Sequence, residues 1–296
     1  MQEKKEFLRA VKLLPPNLRD CALKTPQRIA ERAEEIRLRA GKRMSYVVED
    51  REIEVAERHQ ITPNELQIVL EIATRASAHS YTDSIKMGFV TAEGGCRIGL
   101  CGTVAADNEN VKGLRRISSI CIRIPHEKRG CAEEIFEELI EDGFKSTIII
   151  SPPGGGKTTL LRELTRLLSD SGTRIALVDE RNEVAGTFEG RPYFDVGLST
   201  DVLSCAPKGA GVMMVLRSMA PQVIAFDEIT APADIEAAVL AANCGVSLLT
   251  TAHASSSEEM RRRPLYKRMI EEGLFRRVVV IRNERGIRNY TVEELR

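Results

Sequence analysis

The sequence predicts an α/β fold: a mostly parallel, helix-covered sheet over residues 131–296, preceded by a smaller α+β domain over residues 1–130. Three observations lead there. Four short, continuous apolar runs in the second half are separated by helical stretches, as in parallel strands covered on both faces. The first half instead alternates apolar and polar residues over short segments, as in strands with one wet face. A length of 296 residues is also near the size at which one core divides into two.

Residues 1–24 have helical character, interrupted by Pro15-Pro16. "EEIRLRA" (34–40), "MSYVVED" (44–50) and "REIEVAE" (51–57) alternate and predict short strands. "TPNELQIVLEIATRAS" predicts a helix with Thr62 as N-cap, Pro63 in the first helical position and Glu65 completing a capping box. Strands return between Gly88 and Pro125, in "GFVTAEGGCRIGLCGTVA" and "ISSICIRIP", with the polar "ADNENVKG" read as a loop. In the second half the runs "TIIIS" (147–151), "RIALVDE" (174–180), "QVIAFDE" (222–228) and "VSLLTTAHA" (246–254) predict parallel strands. Helices are expected at Lys157–Ser169, about Gly211–Met219 and Ala233–Asn243, and "FRRVVVIRNERGIRNYTVEEL" as a closing hairpin.

Composition excludes several function classes. Aromatic residues are 4% and tryptophan is absent, which disfavours a stacking platform for single-stranded nucleic acid. Basic and acidic side chains balance at 43 each, so no overall field steers a polyanion to the molecule. Seven cysteines form no CxxC pair and read as reduced thiols of a cytosolic protein, with no zinc site expected. No run reaches the roughly 18 apolar residues a membrane span needs, so membrane association is expected to be peripheral. "RRRPLYKR" (261–268) reads as a solvated basic face.

The chemistry concentrates at strand ends. Ser151, Pro152, Pro153, Gly154, Gly155, Gly156, Lys157 and Thr158 follow an apolar strand and open a helix, against the phosphate-loop pattern G-x-x-x-x-G-K-[ST]. Glycines let the backbone curl so that N–H groups face phosphate oxygens, and the helix adds its positive end. Lys157 is placed to reach the β/γ-phosphates of ATP, Thr158 to hold Mg2+, and Thr159 to extend the nucleotide site. Ser151 stands where the pattern has glycine, a small residue that should be tolerated. "VIAFDE" ends in Asp227, a second candidate for the metal, and Glu228, a candidate to polarise the attacking water. "VDERNE" adds Glu180, and "TAHA" adds His253. The sequence has no N-K-x-D guanine signature and no LSGGQ-like segment.

The glycine loop, "VDERNE", "LRSMAPQVIAFDE" and "TTAHA", in this order, resemble the hexameric secretion ATPases of types II and IV. "EIRLR", "GFVTAEGGCRIGLCGTV", "ISSICIRIP", "ISPPGGGKTTLLREL" and "VDERNEVAG" resemble more closely still the stage III sporulation protein AA family, over nearly the whole chain. The resemblance implies a RecA-like P-loop ATPase domain and an ATP-driven, ring-shaped homo-oligomer, a hexamer by analogy. It also implies a cytoplasmic location, peripheral to a membrane channel complex on the mother-cell side of a spore former. Secretion ATPases bring arginines from the N-terminal domain to the γ-phosphate, which makes Arg97 and Arg123 candidates, with Arg115 and Arg116 after them. The secretion ATPases usually have glycine where Asp227 stands. A nucleic-acid-linked AAA-type ATPase is the alternative reading; nucleic acid is not the expected partner.

Overall fold

The computed structural model describes residues 2–49, 51–55, 58–76, 82–86, 88–107, 110–125, 128–284 and 287–295. The chain divides into two compact units, Met1–His126 with Gly186–Tyr193, and Glu127–Ala185 with Phe194–Arg296. The sequence reading draws one cut, after residue 130.

The first unit opens with helices α1 (Gln2–Val11), α2 (Pro16–Leu23) and α3 (Gln27–Ala30). Pro16 takes the first position of α2, where a missing N–H removes no helical bond. Then come β1 (Ala33–Arg39), β2 (Ser45–Val48), β3 (Arg51–Glu54), α4 (Pro63–Ala73), α5 (Thr82–Lys86), β4 (Phe89–Thr91), β5 (Arg97–Asp107) and β6 (Asn110–Arg123). The strands form an antiparallel sheet in the order β3-β2-β1-β6-β5-β4. One face is apolar: Ile36, Leu38, Ile98, Ile120 and Ile122 pack with Phe7, Leu18, Leu66 and Val69 of the helices. Alternation sends Glu35, Arg37, Arg97, Cys121 and Arg123 to the other face, where Arg123 is in register with both Glu35 and Arg97.

The capping box of α4 forms as expected. The Thr62 amide donates to the Glu65 carboxylate at 2.7 Å, and the Thr62 hydroxyl accepts from the Glu65 amide at 3.2 Å. The expected loop at "ADNENVKG" is corrected: β5 and β6 stay paired out to Asp107↔Asn110. Only 108 and 109 lie past that pair, outside the described residues. Three register shifts absorb the irregular composition, and one needs Gly102, where a Cβ would stand 1.8 Å from the Arg116 carbonyl oxygen.

The second unit contains α6 (Glu133–Ile140), β7 (Thr147–Ser151), α7 (Lys157–Asp170), β8 (Ile175–Asp179), β9 (Thr200–Ser204), α8 (Lys208–Ser218), β10 (Val223–Phe226), α9 (Pro232–Asn243), β11 (Ser247–His253), α10 (Ser257–Arg262), α11 (Pro264–Glu271), β12 (Arg277–Glu284) and β13 (Ile287–Glu294). The sheet order is β13-β12-β7-β11-β10-β8-β9, parallel except for the β12–β13 hairpin. Ile148 and Ile150 of β7 join a core with α8, α9, α10 and α11, while Ile149 joins a second core with α6 and α7. Ala176 and Val178 against Leu177 split the same way. Burial on both faces is why these strands read as unbroken apolar runs.

Candidate functional site

The glycine loop follows β7 and ends in the first turn of α7. Ser151 is fully buried and keeps an ordinary negative φ, so the departure from glycine stores no left-handed strain. Its hydroxyl donates to the Pro152 carbonyl at 2.9 Å. That hydroxyl occupies the space over Gly155, where a Cβ would stand 2.3 Å from Ser151 Oγ. Gly154 and Gly156 serve a different need, with φ of 74° and 98°. Pro152 and Pro153 are exposed on the loop, and Thr159 is half-buried one residue into the helix after Thr158. No side chain caps the start of α7 and no acid lies in its first turn. The positive end of this 14-residue helix is thereby presented to an anion.

Register brings the histidine to the loop: β11 lies beside β7, and His253 pairs with Ser151. Lys157 is 7% exposed and uses all three donors of its ammonium, to Ser151 O at 3.1 Å, Pro152 O at 3.3 Å and His253 Nδ1 at 2.8 Å. Because an ammonium only donates, His253 Nδ1 is the acceptor. In the neutral ring Nε2 then carries the proton and donates to Glu228 Oε1, 2.9 Å away. Burial lowers the Lys157 pKa, against the opposing charges of Glu228 and Asp227. A phosphate oxygen reaching Lys157 would replace one of these three bonds.

Asp227 joins three elements. Its Oδ2 accepts from the Thr158 hydroxyl at 3.2 Å, and its Oδ1 from the Thr251 hydroxyl at 2.7 Å and the Glu228 amide at 3.0 Å. A hydroxyl and a carboxylate oxygen at hydrogen-bonding distance are the donor set that a phosphate-bound Mg2+ accepts, its other positions taken by water and phosphate. The residues therefore fit that ion. Among the described residues no group of three His, Cys, Asp or Glu side chains could hold a metal by itself.

Glu180, just past β8, goes elsewhere: it pairs with Lys208 at 3.0 Å, not with the Lys157–His253–Glu228 series. Lys208, 6% exposed, also lies 3.8 Å from Asp234, which accepts from the amides of Thr230 and Ala231 just beyond Glu228. Lys208 thus braces the ends of two strands. Sequence reasoning passed over it, although a lysine at the start of α8 opposes the helix dipole and so signals another task. Asp179, 1% exposed, accepts from the amides of Glu183, Val184 and Ala185 and pins the segment that follows β8. Burial pushes its pKa up to about 6 in spite of those bonds.

In the first unit, Arg97 and Arg123 line a cavity of about 240 Å³ with Arg37 and Phe89. Arg37 and Arg123 share Glu35, at 2.6 and 3.4 Å, and Arg97 stacks over Phe89 at 4.1 Å. Arg37 was not singled out by sequence, although it follows Glu35 by two residues and so shares its face. Arg115 and Arg116 are exposed on β6. No helix among the described residues is long and apolar enough to cross a membrane. The basic stretch 261–268 is broken at Arg263, with Pro264 opening α11, and Arg263 and Arg268 pair with Glu259 and Glu272.

The chain is similar in sequence and in fold to known proteins. The chain is 35% identical over 279 residues to stage III sporulation protein AA of Bacillus subtilis, covering 93% of this chain and 90% of that one. Its fold is similar to that of the ATPase DotB of Legionella pneumophila, with a TM-score of 0.59, 18% identity and coverage of 88% of this chain and 76% of that one. It is also similar to the pilus retraction motor PilT, solved with bound ADP, with a TM-score of 0.61, 14% identity and coverage of 89% and 80%. These likenesses show the fold: a P-loop α/β fold shared with DotB and PilT. The profile of sporulation stage III, protein AA, matches residues 2–291, and the chain belongs to that family.

Proposed function

We propose that this chain is a Mg2+-dependent motor ATPase that hydrolyses ATP to energise a membrane channel complex during sporulation. In this reading it works as a ring of identical subunits, a hexamer, on the cytoplasmic, mother-cell side. One observation carries the catalytic part: the Lys157–His253–Glu228 series meets the Thr158–Asp227 pair at the glycine loop. Amides of the loop and of the first turn of α7 bind the phosphates, and Lys157 leaves a carbonyl or His253 to join them. Mg2+, held by Thr158 and Asp227, would neutralise charge on the phosphate oxygens. Glu228 orients and deprotonates the attacking water, and His253 positions Glu228. If the bond given up is the one to His253, Nδ1 loses its donor, and occupancy of the loop is then felt at Glu228. Arg97 and Arg123, with Arg37 beside them, supply cations for the γ-phosphate. The likeness in fold to a pilus retraction motor and to the ATPase DotB, together with membership of a sporulation family, supports the assignment to motor work in sporulation.

Calorimetry with Mg-ATP and a phosphate-release assay test this on the parent, Lys157→Ala and Glu228→Gln. Lys157→Ala should lose binding. Glu228→Gln should bind ATP as the parent does while turnover drops about 100-fold or more, the scale of a lost general base. Turnover by Glu228→Gln equal to the parent's removes Glu228 from its role; a parent that binds no Mg-ATP ends the whole reading.

A further inference from the structure

Glu228 and His253 approach the loop from the β10–β11 side of β7, and the hairpin β12–β13 lies on the opposite side. Val280 of β12 is level with Ile150 of β7, and Asn283, three residues on, pairs with Arg288 of β13. Arg288 therefore stands just past the carboxyl end of β7, at the height of the glycine loop. Strand alternation puts it on the same face as Tyr290 and Val292, which pack on the core shared with α7. Its guanidinium rests against the loop itself: a Cβ on Gly156 would be 2.9 Å from Arg288 Cζ, 3.0 Å from Nε and 3.1 Å from Nη1. Gly156 is thus glycine for two reasons, its φ of 98° and the arginine pressed on it.

An arginine in contact with a phosphate loop stands beside the positive end of α7, which offers its charge no compensation. Among the described residues no carboxylate pairs with it. Its neighbours on the hairpin side are the Cys131 thiol and the Tyr290 phenol, both close enough to feel its charge. A planar fork of donors held there suits phosphate oxygens better than any partner the chain provides.

We infer that Arg288 is a nucleotide-binding residue acting within its own subunit, gripping the diphosphate portion on the flank of the loop opposite Glu228 and His253. This rests on the nucleotide reading above and adds a residue and a division of labour to it. The terminal phosphate must lie toward Glu228, where water attacks, so the opposite flank serves the phosphates that remain after hydrolysis. Arg288 should then bind ADP and ATP alike.

Calorimetry on the full chain tests this with Mg-ADP on the parent, Arg288→Gln and Arg288→Lys, and with Mg-ATP on the same three in a Glu228→Gln background. Loss of charge-assisted bonds should weaken both nucleotides by comparable factors of about 10- to 100-fold in Arg288→Gln. Arg288→Lys, which keeps the charge but not the fork, should fall between, with melting temperatures unchanged. If Arg288→Gln melts early, Arg288→Lys alone decides, through the same two affinities. Parent-like affinity in the variants overturns the inference while the nucleotide reading stands. Weakening confined to ATP overturns the diphosphate assignment. A parent that binds neither nucleotide overturns both.

Discussion

Ser151 and Gly155 form one steric unit, although the motif treats them as separate positions. The serine hydroxyl, tied to Pro152 O, fills the volume that a Cβ on Gly155 would need, at 2.3 Å. Gly155→Ala should push the loop off its curl at an overpacking cost of about 1–3 kcal/mol, weakening Mg-ATP roughly 10-fold or more. Ser151→Gly alone should be nearly silent. In the double variant part of the affinity should return, because the hydroxyl is gone. It should not return fully, since the Pro152 carbonyl oxygen is still 3.1 Å from the new Cβ. Additive affinities for the two substitutions in a calorimetric cycle would show that Ser151 and Gly155 do not share this space. The tolerance for serine could be argued from sequence, since a small residue was enough; the reciprocal demand on Gly155 could not, because it depends on where one hydroxyl points.

Elements differ in how much of them could be read before the structure. The strands β7, β8, β10 and β11 were plain because burial on two faces leaves no polar interruptions. The edge strand β9, "TDVLS", was missed because none of its residues is fully buried, so no apolar pattern marks it. For α6, "EEIFEELI", the signal was present, with Ile135 and Leu139 one turn apart and buried. The reach of β5 and β6 through "ADNENVKG" was hidden by Asp, Asn and Gly, which mark turns in most settings. Lys208 and Arg288 escaped because each acts across strands distant in sequence. The capping box of α4 was legible because it is local, and it carries a prediction. Thr62→Ala should destabilise the first unit by about 1 kcal/mol. That would lower its thermal midpoint by about 4 °C. Far-UV melting should show the loss in the first unit while Mg-ATP affinity of the second stays the same. An unchanged first-unit midpoint would mean that Glu65, also held by His59 at 2.8 Å and by Asn17, keeps the helix start in place without the cap.

At the scale of the molecule, the proposed chemistry draws on two sheets. One presents the glycine loop with Lys157, Asp227, Glu228 and His253; the other presents Arg37 and Arg123 on Glu35, with Arg97 over Phe89 in the same cavity. Guanidinium groups on that polar face are of the kind that grip phosphate oxygens, so a triphosphate is a suitable ligand for it. If those arginines serve the γ-phosphate of a neighbouring subunit, ATP becomes part of the interface, and assembly and binding are thermodynamically linked. Glu228→Gln, unable to turn over, should then run as a larger species with Mg-ATP than with Mg-ADP in sizing with light scattering. Adding Arg97→Ala or Arg123→Ala should abolish that ATP-dependent increase. At protein concentrations too low for assembly, the same additions should leave ATP affinity unaltered, since the glycine loop is untouched. The two concentration regimes separate an interface role from a folding defect, which would depress affinity in both. A particle whose size ignores the nucleotide at every concentration would leave the loop as a binding site and remove the arginines from it.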